Sequence, residues 1–185
     1  MASVRRLLFR IFTVVYFNFN LTRRYARSLG AEVGDDTAIY PSVQFGSEPW
    51  LVSIGDGTRV TAGVEFITHD GSINILRTGA FGITPDDRMN RFGRIVVGKE
   101  CFIGVHAKIM PNVTIGDRCI IGAASVVTKD VPAGTIVAGN PARPVGRTEE
   151  FADKALAESL DLPNSFPSEA ERRRAVSEAL DARRT

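Results

Sequence analysis

The sequence predicts an all-β core of short stacked strands, with an amphipathic helix before it and a helical tail after it. Three observations carry this. Stepping by six from Val97 gives Val97, Ile103, Ile109, Ile115, Ile121 and Val127, a large aliphatic residue every time. The next residue is glycine in four of the six steps (Gly98, Gly104, Gly116, Gly122), and the residue four after each aliphatic is small or modest: Cys101, Ala107, Val113, Cys119, Ser125, Val131. Finally, the first thirty residues carry Arg5, Arg6, Arg10, Arg23, Arg24 and Arg27 without one acidic residue, whereas residues 148–185 are charged and helix-prone.

A strict period of six fits neither regular element. A helix places apolar residues at steps of three and four, and a half-buried strand alternates. Six means short extended segments separated by turns, each sending one large side chain inward. Glycine after the aliphatic is read as allowing backbone angles that are costly for other residues. One such segment buries too little to be stable, and stacked coils share a continuous core. The same frame runs upstream as Val33, Ile39, Phe45 and Leu51, slips by three, and resumes as Ile54, Val60 and Phe66.

The chain divides into residues 1–29, a basic amphipathic helix; 30–147, the repeat domain; and 148–185, a helical extension. The apolar stretch from Leu7 to Phe19 is interrupted by Arg10 and is too short to span a bilayer. No small-x-small cleavage site follows it, so it reads as a mature cytoplasmic segment. It either packs on the body or a neighbouring subunit, or lies on an anionic membrane at its inner face. The repeat is broken between about Ser72 and Arg94, which reads as a functional loop leaving one corner. In the tail, Pro163 and Pro167 separate two helices, and Ser168 with Glu171 has capping-box spacing. A net charge of +2 argues against a nucleic-acid-coating protein, and two cysteines without a disulfide framework fit a reducing compartment.

With these repeats in hand, the pattern resembles the hexapeptide-repeat family, whose fold is a left-handed parallel β-helix with three hexapeptides per triangular coil. The resemblance implies that the chain returns above itself every eighteen residues or so. Cys101 would then stack on Cys119, both as small core residues.

There are two histidines. The stretch Thr68-His69-Asp70-Gly71 resembles the catalytic histidine segment of the galactoside and maltose acetyltransferases, and His69 precedes the loop as it does there. The chemistry needs such a group, because a sugar hydroxyl attacks a thioester poorly until a base takes its proton. The alternative for His69 is a turn histidine bound to backbone. His106 lies inside the repeat and is expected to point outward, as a surface or subunit-contact residue. A carbonic anhydrase branch of the β-helix family holds zinc through three histidines. Two histidines in different contexts do not supply that set, and no metal is expected.

From Ile121 to Pro132 and from Ala138 to Arg143 the chain resembles acetyltransferases that bind acetyl-CoA between two subunits of a trimer. Residue by residue, Phe102 would pack on the pantetheine arm, Ala123 would offer it backbone, Thr128 and Lys129 would meet the nucleotide end, and Arg143 a phosphate. Taken singly, Lys129 and Arg143 are equally well solvated charges. The family often has Trp and Ser where this chain has Phe102 and Val105, and Val105 supplies no hydroxyl. The segment Phe45-Gly46-Ser47-Glu48-Pro49 resembles a subgroup of bacterial polysaccharide O-acetyltransferases. It makes Gln44, Ser47 and Glu48 candidates for binding a sugar or orienting His69; the alternative is a plain turn. Asp70 is not expected to be the partner, because adjacent side chains on extended backbone diverge.

The resemblance thus implies an acetyl-CoA-dependent acyltransferase. It would be a homotrimer and would acetylate a hydroxyl or amine of a sugar or sugar nucleotide in surface polysaccharide or lipopolysaccharide assembly. The rivals are a non-catalytic β-helix trimer, a carbonic anhydrase relative, and a membrane scaffold built on residues 1–29.

Overall fold

The computed structural model describes residues 18–78, 80, 91–163 and 165–183. The first seventeen residues of the expected N-terminal helix, residues 79 and 81–90 of the loop, and residues 164, 184 and 185 of the tail lie outside the described residues.

Nearly every strand of the core is only two or three residues long, and the strands stack in parallel into three faces. The first face holds Glu32–Val33, Val52–Ile54, Ile95–Val97 and Thr114–Ile115. The second holds Ala38–Ile39, Arg59–Val60, Phe102–Ile103, Ile120–Ile121 and Thr135–Ala138. The third holds Glu65–Phe66, Lys108–Ile109 and Val126–Val127. The chain visits the faces in that order and climbs one level per circuit. Val60, Ile103, Ile109 and Ile121 have no exposed surface, so the six-residue column is the core.

The glycines after the aliphatics do not have positive φ. The left-handed position is three residues after the aliphatic, at the turn, where Asp36, Glu100, His106, Asn112, Arg118 and Ala124 have φ of 54–64°. What the early glycine provides is close approach. A Cβ on Gly104 would lie 2.6 Å from the backbone nitrogen of Ala123 and 2.6 Å from the carbonyl oxygen of Ile121, in the coil above. The expectation about backbone angles is therefore corrected: the constraint is the distance between neighbouring coils.

Two other expectations change. Leu51 does not continue the inward column. It ends a 3-10 turn, Pro49–Leu51, and is only half-buried, while Ile54 stacks on Val33. The slip of three is this turn, and it makes the first coil longer than the eighteen-residue repeat: Asp35 bonds Asp56, 21 residues on, whereas Lys99 bonds Asp117, 18 residues on. Likewise Val131 leaves the position four after the aliphatic in which the count of six places it. It pairs with Ile115 on the first face, because the turn at Thr128–Asp130 is short.

Cys101 and Cys119 are buried in adjacent coils. They continue a column with Thr37 and Thr58 in which each side chain donates to a carbonyl of the next coil: Thr37 to Gly55 at 3.0 Å, Thr58 to Gly98 at 2.9 Å, Cys101 to Gly116 at 3.1 Å and Cys119 to Pro132 at 3.1 Å. The Cys101 thiol is pushed up by its contact with Cys119 and by burial, so it stays protonated and keeps its role as donor.

Helix α1, Phe19–Ser28, precedes the core. Ala26 is buried, and the Thr22 hydroxyl donates to the Ile39 carbonyl at 2.6 Å. Gly30 (φ 99°) closes it, with Gly30 donating to Arg27 and Ala31 to Ala26. At the far end, Arg143–Arg147 turns back antiparallel on Thr135–Ala138. The chain forms two compact units, one through Thr148 and one from Glu149. The second contains most of helix α2, Thr148–Glu158, and helix α3, Glu169–Ala182, whose N-cap Ser168 accepts from the Glu171 amide at 3.2 Å. Among the described residues, no helix is long and apolar enough to cross a membrane.

Gly104→Ala would force a methyl group against backbone atoms that cannot rotate away. Its expected cost is about 1–3 kcal/mol, read as a lower urea midpoint in equilibrium unfolding.

Candidate active site

His69 follows the last third-face strand before the loop. Phe66 and Thr68 point inward and are buried; His69, between turn and loop, points out. The segment does not leave the body as a free loop at once. His69–Asp70 pairs antiparallel with Arg91–Phe92, the returning end of the segment, and Gly71–Thr78 forms a 3-10 stretch. Phe92 lies opposite His69, with ring centroids 6.0 Å apart in an edge-on arrangement.

The three-residue turn in the coil below brings Glu48 to the histidine. Its Oε2 lies 3.0 Å from His69 Nδ1 and accepts the Thr68 hydroxyl at 2.6 Å. The Glu48 side chain is 15% exposed and that of His69 46%. The Thr68 hydroxyl does most to hold Glu48 below the usual carboxylate range; burial opposes it, and the hydrogen bond and charge of His69 add to the lowering. An ionised Glu48 accepts the Nδ1 proton of His69, which leaves Nε2 with a lone pair to take a proton. Gly46 makes this packing possible, since a Cβ there would come within 2.6 Å of Thr68 Oγ1.

Asp70 is engaged elsewhere. It accepts from the Ser72 amide at 2.9 Å and faces Arg91 at 3.5 Å. The Ser72 bonds foremost, with smaller contributions from Arg91 and His69, hold its carboxyl low.

A groove of about 190 Å³ is lined by Gln44, Gly46, Ser47, Glu65, Phe66, Ile67, Thr68 and His69. The structure therefore brings His69, Gln44 and Ser47 to one cavity, with Glu48 behind the histidine. Glu65, which pairs with Lys108 at 2.6 Å, also lines it. Thr68, Phe92 and Glu65 were not among the sequence candidates. Thr68 had a signal, its inward register two residues after Phe66. Phe92 had none, because an antiparallel return is not written in the repeat.

The donor-side candidates lie elsewhere on the same chain. Phe102 is on the outer side of the second face, 43% exposed. Ala123 is exposed at the turn leaving that face, and Arg143 is exposed on the antiparallel strand, donating to the Ala142 carbonyl at 2.9 Å. Thr128 and Lys129 are exposed at the corner after the third face, the corner His69 also occupies two coils lower. One chain thus does not bring His69 together with Phe102, Ala123 and Arg143. His106 is exposed at the corner between the second and third faces, its ring over Gly63. The two histidines stand on different edges. Among the described residues, no three His, Cys, Asp or Glu side chains are grouped to hold a metal ion.

The model for bacterial transferase hexapeptide (six repeats) matches residues 94–129. Protein CapG of Staphylococcus aureus is 42% identical over 140 residues, covering 74% of this chain and 77% of that one. The chain belongs to the hexapeptide-repeat transferase family. The Escherichia coli K12 protein WcaF, named for an acetyltransferase of colanic acid biosynthesis, is 33% identical over 63% of this chain and 69% of its own. Among solved structures, the hexapeptide-repeat acetyltransferase VCA0836 of Vibrio cholerae superposes with a TM-score of 0.55, at 23% identity over 80% of this chain and 92% of that one. A maltose O-acetyltransferase from Clostridium difficile 630 superposes at 0.53, with 21% identity over 75% and 83%. These two share the fold, the left-handed β-helix of the family. The chain is accordingly an acyltransferase, and the carbonic anhydrase alternative is not favoured.

Thr68→Val removes the hydroxyl that holds Glu48 ionised. The Glu48 carboxyl is expected to titrate higher, followed by carbon NMR of its side chain. Because the folded carboxyl is held low, its stabilisation is present above the ordinary carboxylate range and lost as pH falls through the folded value. The variant should therefore unfold more easily by about 1.5 kcal/mol near neutrality, a difference that closes in acid.

Proposed function

We propose that the chain transfers an acetyl group from acetyl-CoA to a hydroxyl or amine of a sugar in surface polysaccharide or lipopolysaccharide assembly. His69 is the general base. The observation that carries this is the Thr68–Glu48–His69 chain of hydrogen bonds at the rim of a groove that Gln44 and Ser47 also line. The colanic acid name of WcaF supports the acceptor class, and the Vibrio cholerae protein of the same fold has been solved with acetyl coenzyme A.

The acceptor hydroxyl lies in the groove, with Gln44 and Ser47 holding neighbouring sugar oxygens. As its oxygen attacks the thioester carbonyl, its proton passes to His69 Nε2. The imidazolium that forms is stabilised by ionised Glu48. The tetrahedral centre collapses by breaking the carbon–sulfur bond. The departing thiolate takes the proton back, giving acetylated sugar and free CoA. On the donor side, Phe102 packs on the pantetheine arm and Ala123 offers it backbone. Thr128 and Lys129 serve the nucleotide end, and Arg143 a phosphate.

A homotrimer is part of the proposal. The distribution of these residues over separate edges of one chain supports it, because a groove between two chains unites the His69 edge of one with the Phe102 and Ala123 side of another. So are a cytoplasmic location and the three-part division into residues 1–29, 30–147 and 148–185, with residues 1–29 packing on the body or a neighbouring subunit or lying on the membrane.

His69→Ala should lower kcat by roughly 10²–10⁴-fold in a thiol-release assay with acetyl-CoA and a sugar panel, with KM for acetyl-CoA little changed. Full activity in that variant would remove His69 as the base.

A further inference from the structure

Helix α1 is anchored on one side only. Buried Ala26 and the Thr22–Ile39 hydrogen bond turn that side to the core. Beside that face, at steps of four, stand Leu21 and Tyr25 on the helix and Leu29 at its C-cap, which are 49%, 64% and 39% exposed. The stripe does not end with the helix. At Gly30 the chain runs against Trp50, whose Cβ lies 3.4 Å from where a glycine Cβ would be, and Trp50 is itself 59% exposed. Two aliphatic and two amphipathic aromatic side chains thus make one outward band from α1 to the Pro49–Leu51 turn.

Charge selects what covers such a band. Arg24 is exposed on the same helix, Arg27 is paired with Asp35 at 3.0 Å, and the first thirty-one residues carry six arginines with no acid. Basic charge beside apolar and aromatic side chains is the composition that settles at the boundary between anionic headgroups and acyl chains; Tyr and Trp favour that boundary because one end of the ring system is apolar and the other polar. An interface with another protein of ordinary composition does not need a segment wholly free of acids. The band also has a fixed relation to the candidate site. Trp50 is two residues from Glu48, the residue bonded to His69.

We infer that Leu21, Tyr25, Leu29 and Trp50 form a docking surface for an anionic lipid bilayer, which holds the His69 groove near the headgroups so that the acceptor it serves is a saccharide carried on a lipid. The docking surface stands independently of the transferase reading; the acceptor class rests on it.

Trp50 is the sole tryptophan, so its fluorescence reports this turn alone. The full chain is mixed with phosphatidylcholine vesicles, with and without phosphatidylglycerol, and with brominated acyl chains as quencher. The expected result is a blue shift and quenching on the anionic vesicles, reduced by salt, with much less of either on pure phosphatidylcholine. Leu21→Ser/Tyr25→Ser, at exposed positions, should weaken vesicle binding about tenfold or more. Sedimentation with vesicles while Trp50 stays unquenched would overturn the surface, as would a shift that follows protein concentration without lipid and so marks a second copy. Thiol release with a water-soluble sugar separates the two readings. The double variant should keep that activity and lose several-fold in turnover of the same sugar bearing a long alkyl chain in anionic vesicles. Equal loss on both acceptors would overturn the lipid-borne acceptor class. Intact Trp50 quenching without any transfer by the wild-type chain would overturn the transferase reading and leave the docking surface standing.

Discussion

The distance between neighbouring coils governs this molecule. Its strands are too short to hold themselves, so each depends on the strand directly above and below it. Hydrogen bonding at about 4.8 Å demands that turns as well as strands nest. The glycine after each inward aliphatic meets that demand where Gly104 faces Ala123 and Ile121, and the column from Thr37 through Cys119 ties one corner of each coil to the next. Once the stack is that tight, an outward side chain has its height and edge set by its place in the repeat. A histidine three residues past Phe66 can stand only at the corner after the third face.

The Thr68–Glu48–His69 hydrogen bonds lie where this regularity is broken. A coil of ordinary length would carry the chain past the corner with nothing behind His69. The longer first coil buckles outward at Pro49–Leu51 and drops a carboxylate beside the imidazole. Thr68, inward in the next coil, then supplies a hydroxyl to the same oxygen. The regular coils act as a rigid scaffold, and the irregular turn supplies the carboxylate. Such support from packed neighbours holds a catalytic side chain more firmly than a loop alone would.

Periodicity alone made the core legible, because one large side chain per six residues has no competing explanation. The position of His69 beside the loop and the nearness of the Gln44–Glu48 segment were legible for the same reason. The role of the early glycine was not, since positive φ and close approach both select glycine and only coordinates separate them. Leu51 and Val131 are apolar residues sitting near the frame but not in it; a turn one triplet long at one place and short at another moves them, and such changes of coil length leave no mark in composition. Thr68 and Phe92 were hidden for a different reason. Their parts depend on what lies above, below or across from them, and a linear pattern does not record that.

The coil carrying Thr58 and Arg59 meets the coil carrying Cys101 and Phe102 across 43 residues, with the same parallel register that coils of eighteen residues use. The intervening segment leaves and returns at one corner without disturbing the ladder. The cost of closing such an excursion grows only slowly with its length. Beyond the His69–Asp70 pairing with Arg91–Phe92, length there is thus nearly free to vary while the prism stays under tight geometric restraint. An insertion at that corner can be lengthened or exchanged while everything that makes the rest of the chain fold is kept.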